Sequence, residues 1–298
     1  MERIDIHQFS PVTLADQPLI ESFLSRRDVY LSAYSFINMF IWGDISQTRW
    51  KLQEDRLWIF SEREDQMLMP PGDPVSPAEL LRVSDELREA GRSGDFALVD
   101  NELVAAHPEL AEHFEAEVDA DNADYVYLTQ KLVQLKGKKL GKKKNLLSQF
   151  LAAAGGYQAL RLEPRDAAAC HALSEKWCQA KNCERLGFTH ETSAMKKALT
   201  HFSTLKLEGL KILLKNELAA FSIFSPLNRD TADIHFEKFD PGIKGSGQAI
   251  NWETARTLAP RFKHLNREQD LGIDGLRQAK RSYDPECVLT TFRLRRRT

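Results

Sequence analysis

The chain has 298 residues, more than a single hydrophobic core usually holds, so we expect two domains of about 150 residues each. With 42% hydrophobic and 28% charged residues, its composition excludes the disordered and fibrous classes. The formal net charge of −2 excludes the whole molecule as an electrostatic binder of nucleic acid. We therefore expect no DNA partner, and any contact with phosphates must come from a local patch.

The first half of the chain predicts short strands and helices in alternation. FSPVTLADQPLIESFL indicates a strand and then a helix that begins near Asp16. RWKLQEDRLWIFSE alternates apolar and polar residues around Glu54-Asp55, which predicts strand, turn and strand. Further along, the patterns predict an amphipathic helix in AELLRVSDELREAG, a buried strand in FALVD, a helix in PELAEHFEAEV and a strand in DYVYLTQKLVQL.

After Gly155-Gly156 a similar order begins again. YQALRLEPRDAAACHALSEKWCQA predicts a strand and a helix that begins near Asp166, and SAMKKALTHFSTL a second helix. LKILLKNELAAFSIFSP predicts two strands around a turn at Lys215-Asn216, and TADIHFEKFD a third. The last elements predicted are the helix QAINWETARTLA, the strand FKHLNRE, the helix GLRQAKRSYD and the strand VLTTFRLR.

This repeated order is weak in residue matches but predicts two related domains. We expect an α/β fold of the α+β kind, in which each domain has a mixed, mostly antiparallel sheet flanked by helices. The predicted domains are residues 1–135 and 157–298, with a basic helix and linker at 136–156.

The N-terminus and the cysteines favour a cytoplasmic protein. MERIDIHQFSP lacks the apolar core of a signal peptide, and the apolar stretch Tyr30 to Trp42 is shorter than the roughly 18 residues of a membrane span. The four cysteines contain no C-x-x-C pair and are expected to be reduced thiols. Cys178, Cys183 and His190 fit no common zinc pattern, so we expect no metal site.

A glycine-rich loop follows the strand in IHFEKFDPGIKGSGQAINW, and a helix begins directly after it. Such a loop allows several backbone N–H groups to converge at the positive end of the helix, where a phosphate or pyrophosphate binds. The predicted donor-binding residues here are Lys244, Gly245, Ser246, Gly247 and Gln248. The alternative is an ordinary glycine-rich turn between strand and helix.

Seven lysines and no acidic residue lie between positions 131 and 144. The last three, Lys142, Lys143 and Lys144, fall at the beginning of a predicted helix, where they oppose its dipole. Clustered lysines bind the phosphates of tRNA, coenzyme A or a lipid headgroup. A solvated linker surface is the alternative.

The segment LNREQD carries two carboxylates and an amide at alternate positions. In a strand, Asn266, Glu268 and Asp270 share one face. We predict that Asn266 and Asp270 bind an acceptor amine and that Glu268 acts as the base. A solvated strand end is the alternative.

The order of meander, glycine-rich loop, helix, strand and helix resembles the GCN5-related N-acetyltransferase (GNAT) fold, whose loop binds the pyrophosphate of coenzyme A. Three segments resemble a bacterial family related to the C-terminal catalytic domain of lysyl-phosphatidylglycerol synthases: YSFINMFIW (34–42), LKGKKLGKKKNLLSQF (135–150) and LNREQDLGIDGLRQAKRSYDP (265–285). This resemblance spans nearly the whole chain. It implies two tandem GNAT-like domains and the transfer of an acyl or aminoacyl group.

The resemblance also suggests roles for individual residues. Tyr283 corresponds to the tyrosine that often protonates the leaving group in acetyltransferases of this fold, and Lys280, one turn earlier, would neutralise charge on the leaving atom. Glu237, on the strand before the glycine loop, is a second candidate base, and a surface pair with a lysine is the alternative. Trp42 closes an aromatic cluster and would line an acceptor pocket, although core packing explains such clusters more often.

The sequence therefore predicts transfer of an acyl or aminoacyl group from a phosphate-containing donor, acyl-coenzyme A or aminoacyl-tRNA, to an amine or hydroxyl acceptor. The acceptor is expected to be a small molecule, a lipid headgroup or a peptide, and tRNA is a candidate partner. No covalently bound cofactor is expected. The alternative is a non-catalytic protein of the same fold that senses a phosphorylated or lipid-like ligand.

Overall fold

The computed structural model describes residues 3–27, 29–181 and 189–298. Cys183, which we considered together with Cys178 and His190 for a metal site, lies outside these residues. Cys178 is disulfide-bonded, so the expectation of a reduced thiol is wrong at this position. Cys170 and Cys287 are free.

The chain forms two compact units that differ in their bounds from the predicted domains. The first unit contains Met1–Ala123 and Leu289–Thr298, and the second contains Asp124–Val288. Residues 136–156, expected as a basic helix and linker, lie within the second unit. The last ten residues belong to the first unit because their strand pairs there.

The strands are β1 (Ser10–Pro11), β2 (Thr48–Gln53), β3 (Arg56–Ser61), β4 (Gln66–Leu68), β5 (Asp95–Val99), β6 (Phe114–Leu128), β7 (Gln158–Arg161), β8 (Glu208–Leu214), β9 (Glu217–Pro226), β10 (Thr231–Phe239), β11 (His264–Asn266) and β12 (Cys287–Arg296). The helices are α1 (Gln17–Leu24), α2 (Phe36–Ile41), α3 (Gly43–Ser46), α4 (Pro77–Glu89), α5 (Asn101–Ala106), α6 (Thr129–Gln134), α7 (Gly141–Ala153), α8 (Ala167–Lys181), α9 (Thr189–Thr200), α10 (Ser246–Leu258) and α11 (Asp274–Arg281). The regular elements in and around the candidate site are β6, β10, β11, α7, α10 and α11.

The sheet of the first unit has the strand order β1-β2-β3-β4-β5-β12-β6, to which β6 contributes residues 114–123. Of the registered pairs, β4 with β5 is parallel, while β1 with β2, β2 with β3, β3 with β4 and β5 with β12 are antiparallel. Apolar side chains of α4 spaced three to four residues apart, Leu80, Val83 and Leu87, pack into the core beside Trp58 and Phe96.

The sheet of the second unit has the strand order β6-β11-β10-β9-β8-β7, to which β6 contributes residues 124–128. The parallel pair is β10 with β11, and the other neighbours are antiparallel. A mixed, mostly antiparallel sheet flanked by helices is the fold class predicted for each domain. The crossover from β10 to β11 runs through α10, whose buried residues Ile250 and Leu258 belong to the core of this unit.

Both predicted hairpin turns are confirmed. Glu54 and Asp55 join β2 to β3 with φ of 50° and 54°, and Lys215 and Asn216 join β8 to β9 with φ of 51° and 66°. Two-residue loops with positive φ match the twist of the strands that they connect, and Asp and Asn tolerate that conformation better than most residues.

The helix predicted in PELAEHFEAEV is wrong. A 3-10 helix covers Pro108–Glu112, and β6 begins at Phe114. The sequence FEAEVDAD alternates apolar and acidic residues, which is the period of a strand, and pairing within the sheet outweighs the helix propensity of Glu and Ala.

The basic helix α7 packs into the core of the second unit. Leu147 and Phe150 are buried beside Tyr125 and Ile250, while Lys142 and Lys144 in its first turn are exposed. The last three lysines of the stretch therefore lie in the first turn of an ordered helix, and Lys142 and Lys144 form part of its outer side. Within the residues described, none of the helices has both the length and the apolar character that a bilayer crossing needs.

Candidate functional site

The site lies where two parallel strands of the second unit separate. β10 and β11 pair over three residues only, Thr231 to Asp233 with His264 to Asn266. Beyond Asn266 the chain leaves β10, and side chains bridge the two segments instead of backbone hydrogen bonds. We call this region, between residues 234–239 and residues 267–270, the β10–β11 opening.

An ion pair crosses the opening. Arg267 Nη2 donates a hydrogen bond of 2.9 Å to Glu237 Oε1, and the two side chains are 14% and 13% exposed. Asn251 of α10 donates to the other carboxylate oxygen at 3.4 Å. The guanidinium carbon of Arg267 lies 5.0 Å from the ring centroid of Tyr283 and 5.7 Å from that of Tyr127. The planar guanidinium suits this place because it pairs with a carboxylate and stacks on aromatic rings at once.

Tyr283 follows α11 and is buried, with 6% of its surface exposed. Its hydroxyl hydrogen bonds to the side chain of Gln248, in the first turn of α10. Burial raises the pKa of Tyr283 to about 12, with the positive charge of Arg267 opposing the shift. The phenol therefore keeps its proton at neutral pH.

Lys143 is the member of the lysine group that reaches this site. Its Nζ lies 4.3 Å from the centroid of the Tyr283 ring, a cation–π contact. Burial lowers the pKa of Lys143, and the charge of Arg267 lowers it further. Tyr283, Gln248, Lys143 and Glu237, all predicted as site residues, are thus brought together around Arg267.

The glycine loop is covered by α7. Gly245 has φ of +82°, and a Cβ there would lie 2.4 Å from the carbonyl oxygen of Leu146. A Cβ on Gly247 would lie 2.8 Å from the Phe239 ring. The glycines therefore permit close packing, a second reason for glycine besides the phosphate binding that we predicted.

The other predicted residues of the loop, Ser246 and Lys244, differ in burial. Ser246 is buried, and its hydroxyl donates to the carbonyl oxygens of Asp240 and Ile243. Lys244 is exposed. Their roles in donor binding remain predictions.

The structure does not place Asn266, Glu268 and Asp270 on one strand face. β11 ends at Asn266, and Glu268 has φ of +56°, so the alternation of a strand does not apply. Asn266 donates to Asp124 at 2.7 Å, whereas Glu268 Oε1 lies 3.1 Å from His235 Nδ1. The three side chains thus face different partners.

Asp270 is fully buried in a network of its own. Tyr125 donates to its Oδ2 at 2.6 Å, and Arg277 donates to both of its oxygens at 2.8 Å. Burial favours a higher pKa for Asp270, but these hydrogen bonds and the charge of Arg277 outweigh it and leave the pKa below its ordinary value.

Lys280 holds the backbone of the opening. Its Nζ donates to the carbonyl oxygens of Arg267, Glu268 and Gln269. Burial lowers the pKa of Lys280 to about 8, with Arg267 adding to the shift. In this position Lys280 orients the segment that carries Arg267. Trp42, predicted to line an acceptor pocket, belongs to the first unit, where it follows α2.

Sequence reasoning missed Arg267, Tyr127 and His235. The alternation of a strand predicts that Arg267 faces away from Glu268. Because β11 ends at Asn266, this alternation does not apply, and Arg267 lies in the opening. The available signal was the position of LNREQD after the crossover helix, because the end of a parallel strand is where sites form in α/β sheets.

Comparison with known proteins identifies the family. The family model described as "Phosphatidylglycerol lysyltransferase, C-terminal" matches residues 26–295. A conserved protein of unknown function from Bacteroides thetaiotaomicron is 30% identical, with a TM-score of 0.89, and the match covers 97% of this chain and 99% of that one. The search of curated proteins gives no match.

Two more distant structures share the fold. L-PGS from Bacillus licheniformis is 13% identical, with a TM-score of 0.64, over 95% of this chain and 93% of that one. A tandem GNAT protein from the clavulanic acid biosynthesis pathway is 9% identical, with a TM-score of 0.50, over 97% and 98%. The predicted tandem GNAT-like fold agrees with the second of these matches. The match of the family model over most of the chain, together with the relative at 30% identity, shows that this chain belongs to the family of the C-terminal region of phosphatidylglycerol lysyltransferases.

Proposed function

We propose that this protein transfers an aminoacyl group from a charged tRNA to a hydroxyl or amine acceptor. The observation that carries the proposal is the buried side chain of Tyr283 with two cationic side chains, Arg267 and Lys143, at its ring. Acyl transfer needs positive charge where the carbonyl oxygen becomes an oxyanion and a proton donor for the leaving oxygen. This group of side chains offers both.

In the proposed reaction, the acceptor attacks the carbonyl carbon of the ester that joins the amino acid to the tRNA. Arg267 and Lys143 stabilise the negative charge that develops on the carbonyl oxygen. The bond from that carbon to the ribose oxygen then breaks, and Tyr283 donates its proton to the ribose oxygen. Glu237, the carboxylate that acts electrostatically on Tyr283, accepts the proton of the acceptor. Proton return from Glu237 to Tyr283 completes the cycle.

The packing of the glycine loop favours tRNA over coenzyme A as the donor. Gly245, Ser246 and Gly247 are buried, and α7 lies against Gly245, so the beginning of α10 offers little backbone to a pyrophosphate. Lys142 and Lys144 are exposed one residue to either side of Lys143. Exposed lysines beside the reacting group suit the phosphates of a large polyanion.

The family description suggests the first substrates to test, because it names a phosphatidylglycerol lysyltransferase. Purified protein would be incubated with radiolabelled lysyl-tRNA and phosphatidylglycerol vesicles, and then with other charged tRNAs and with acetyl-coenzyme A. We expect label in the acceptor with a charged tRNA. Transfer from acetyl-coenzyme A alone, with none from charged tRNAs, would contradict the proposal.

The role of Tyr283 has a matched control in the same unit. Removing a general acid costs about 10²- to 10⁴-fold in rate, so Tyr283→Phe should slow transfer by that much. Tyr157→Phe also deletes one hydroxyl bonded to a side chain, that of Glu253, and should keep the rate. Equal rates for the two variants would remove Tyr283 from the mechanism.

One observation favours the alternative, a non-catalytic binding protein. The Arg267 side chain crosses the opening into which an acyl chain would enter. For a protein with the opening closed in this way, charged tRNA should bind without transfer to any acceptor. Binding measured by filter retention together with absent transfer would favour this second function.

A further inference from the structure

A second cluster of side chains in the β10–β11 opening takes no part in the proposed reaction. Asp233 and His235 of β10 face Glu268, and the side chains of Asp233 and His235 are 0% and 1% exposed. His235 Nδ1 lies 3.1 Å from Glu268 Oε1 and 3.7 Å from Asp233 Oδ2. One ligand atom from each of the three residues lies within 4.8 Å of the other two.

The local backbone directs these side chains to one point. The register of β10 against β9 shifts between Ile234 and Phe236, so His235 is the extra residue of a β-bulge. Bulges re-aim side chains and are frequent beside functional sites. Glu268 is held at positive φ by a hydrogen bond from its N–H to Asn266 Oδ1 at 2.8 Å.

The chemistry of the cluster suits a divalent metal ion better than a hydrogen-bond network alone. One buried carboxylate, Asp233, and one half-buried carboxylate, Glu268, face one imidazole, which is able to carry a single positive charge. Zn²⁺ and Mn²⁺ accept mixed sets of imidazole nitrogen and carboxylate oxygen, at about 2.0 to 2.2 Å per bond. Small side-chain movements would bring the three ligand atoms to these distances.

The fourth residue of the cluster, Ser225, prepares His235 as a ligand. Ser225 Oγ lies 2.8 Å from His235 Nε2, on the far side of the ring from the carboxylates. When Nε2 donates its hydrogen to Ser225, the lone pair of Nδ1 points to Asp233 and Glu268. Metal-binding histidines are ordinarily held by such a hydrogen bond from the other ring nitrogen.

We propose that Asp233, His235 and Glu268 form a binding site for one divalent transition-metal ion, Zn²⁺ or Mn²⁺. The ion joins the bulge of β10 to the segment after β11, and it thereby fixes the backbone next to Arg267. This site stands independently of the proposed transfer reaction, because its ligands and its test involve neither donor nor acceptor.

The test measures metal binding by the whole chain. Protein stripped with a chelator would be titrated with MnCl₂ and with ZnCl₂ by calorimetry, and the bound Mn²⁺ would be counted by electron paramagnetic resonance. Mn²⁺ is the more selective probe because it prefers oxygen and imidazole ligands over the free thiols of Cys170 and Cys287. We expect one ion per chain and a rise in the melting temperature on binding.

Variants distinguish this site from adventitious binding. Glu268→Gln replaces the least buried of the three ligands and should weaken metal binding at least about 100-fold. Ser225→Ala removes the hydrogen-bond partner of His235 and should weaken metal binding about 10- to 100-fold. His264→Asn is the matched control, because His264 Nε2 contacts the Glu286 carboxylate at 3.2 Å outside the cluster, and it should bind as the wild type does. Circular dichroism confirms that each variant is folded.

Three results would overturn the proposal. These are the absence of Mn²⁺ and Zn²⁺ binding by the wild type, unchanged affinity in a folded Glu268→Gln variant, and loss of binding in His264→Asn. Glu268→Gln and Ser225→Ala decide the question without replacing the buried His235, since Ser225→Ala removes only a hydroxyl.

Discussion

Arg267 Nη2 and Glu237 Oε1 form a 2.9 Å ion pair between two segments whose backbones no longer pair. Burying two charges is costly, and attraction offsets the cost only when both partners are present. Each residue of this pair therefore depends on the other for its position. The rings of Tyr127 and Tyr283 lie beside the guanidinium, at 5.7 Å and 5.0 Å from its carbon.

Breaking this pair should destabilise the protein more than replacing it does. Arg267→Met leaves the Glu237 carboxylate buried without its partner, and we expect a loss of about 3–5 kcal/mol in the free energy of unfolding. The double variant Arg267→Met/Glu237→Leu should recover most of that loss. Urea unfolding of the two single variants and the double variant measures the coupling, and additive losses would show that the pair does not act as a unit.

Gly245→Ala should destabilise the fold as well as any donor site. A positive φ costs an L-residue roughly 1–2 kcal/mol, and the new Cβ would collide with the carbonyl oxygen of Leu146 at 2.4 Å. Gly141→Ala, in the first turn of α7 with open space around it, is the matched control and should be neutral or slightly stabilising. A Gly245→Ala protein that melts with the wild type would contradict this packing.

The two glycine roles show where sequence reasoning reached its limit. The strand, loop and helix order around Gly245 was predictable because glycine and hydrophobic periodicity are local signals. The cover provided by Leu146 and Phe150 was not, since it depends on how α7, about a hundred residues earlier, packs against α10. A sequence pattern indicates which backbone conformations are allowed at the glycines. It does not indicate which distant element packs against them.

The same limit explains which residues of the candidate site were predicted from the sequence and which were missed. Tyr283, Glu237 and Lys143 were predicted from the sequence, on three separate elements, by residue type or by resemblance. Arg267 was missed because the position at which β11 ends is set by its pairing with β6 and β10. The sequence of a three-residue strand does not reveal which strands pair with it. Placing Asn266, Glu268 and Asp270 on one face failed for the same reason.

The buried Asp270 should contribute stability that depends on pH. Its pKa in the folded protein is lowered, so the contribution is fully present above the unfolded value of about 3.9 and is lost as the pH falls through the folded value. We expect Asp270→Asn to lose about 2 kcal/mol in the free energy of unfolding at pH 7. Below pH 7, in the acid limb of the stability curve, its free energy of unfolding should also fall less steeply with pH than that of the wild type. Urea midpoints between pH 7 and pH 3 measure both effects.

The control for Asp270 is a carboxylate in a solvated pair. Asp230 lies 3.6 Å from Arg229, and its side chain is 62% exposed. Asp230→Asn should leave the acid limb as in the wild type, because exposed pairs contribute little. If the two variants have the same acid limb, the network around Asp270 does not govern acid stability.

The lysines at the beginning of α7 should separate into two kinds, and this prediction rests on the proposed transfer from tRNA. Lys142 and Lys144 are exposed, so Lys142→Ala and Lys144→Ala should each weaken tRNA binding. Each should also make the slope of the logarithm of the binding constant against the logarithm of the salt concentration less steep, by roughly 0.7 to 0.9. Lys143 lies over the Tyr283 ring, so Lys143→Met should lower the rate of transfer far more than the affinity for tRNA.

Lys196, exposed on α9, is the matched control for both kinds of lysine. Lys196→Ala removes an equal charge from the same unit, and we expect its affinity, salt dependence and rate to remain those of the wild type. Binding would be followed by filter retention of labelled tRNA at several salt concentrations, and transfer by single-turnover kinetics. Equal effects of Lys196→Ala and Lys142→Ala on the salt dependence would mean that net charge, and not the surface of α7, attracts the tRNA. A Lys143→Met variant that loses affinity but keeps its rate would place Lys143 with its exposed neighbours and leave Arg267 as the one cation of this pair that acts on the reacting group.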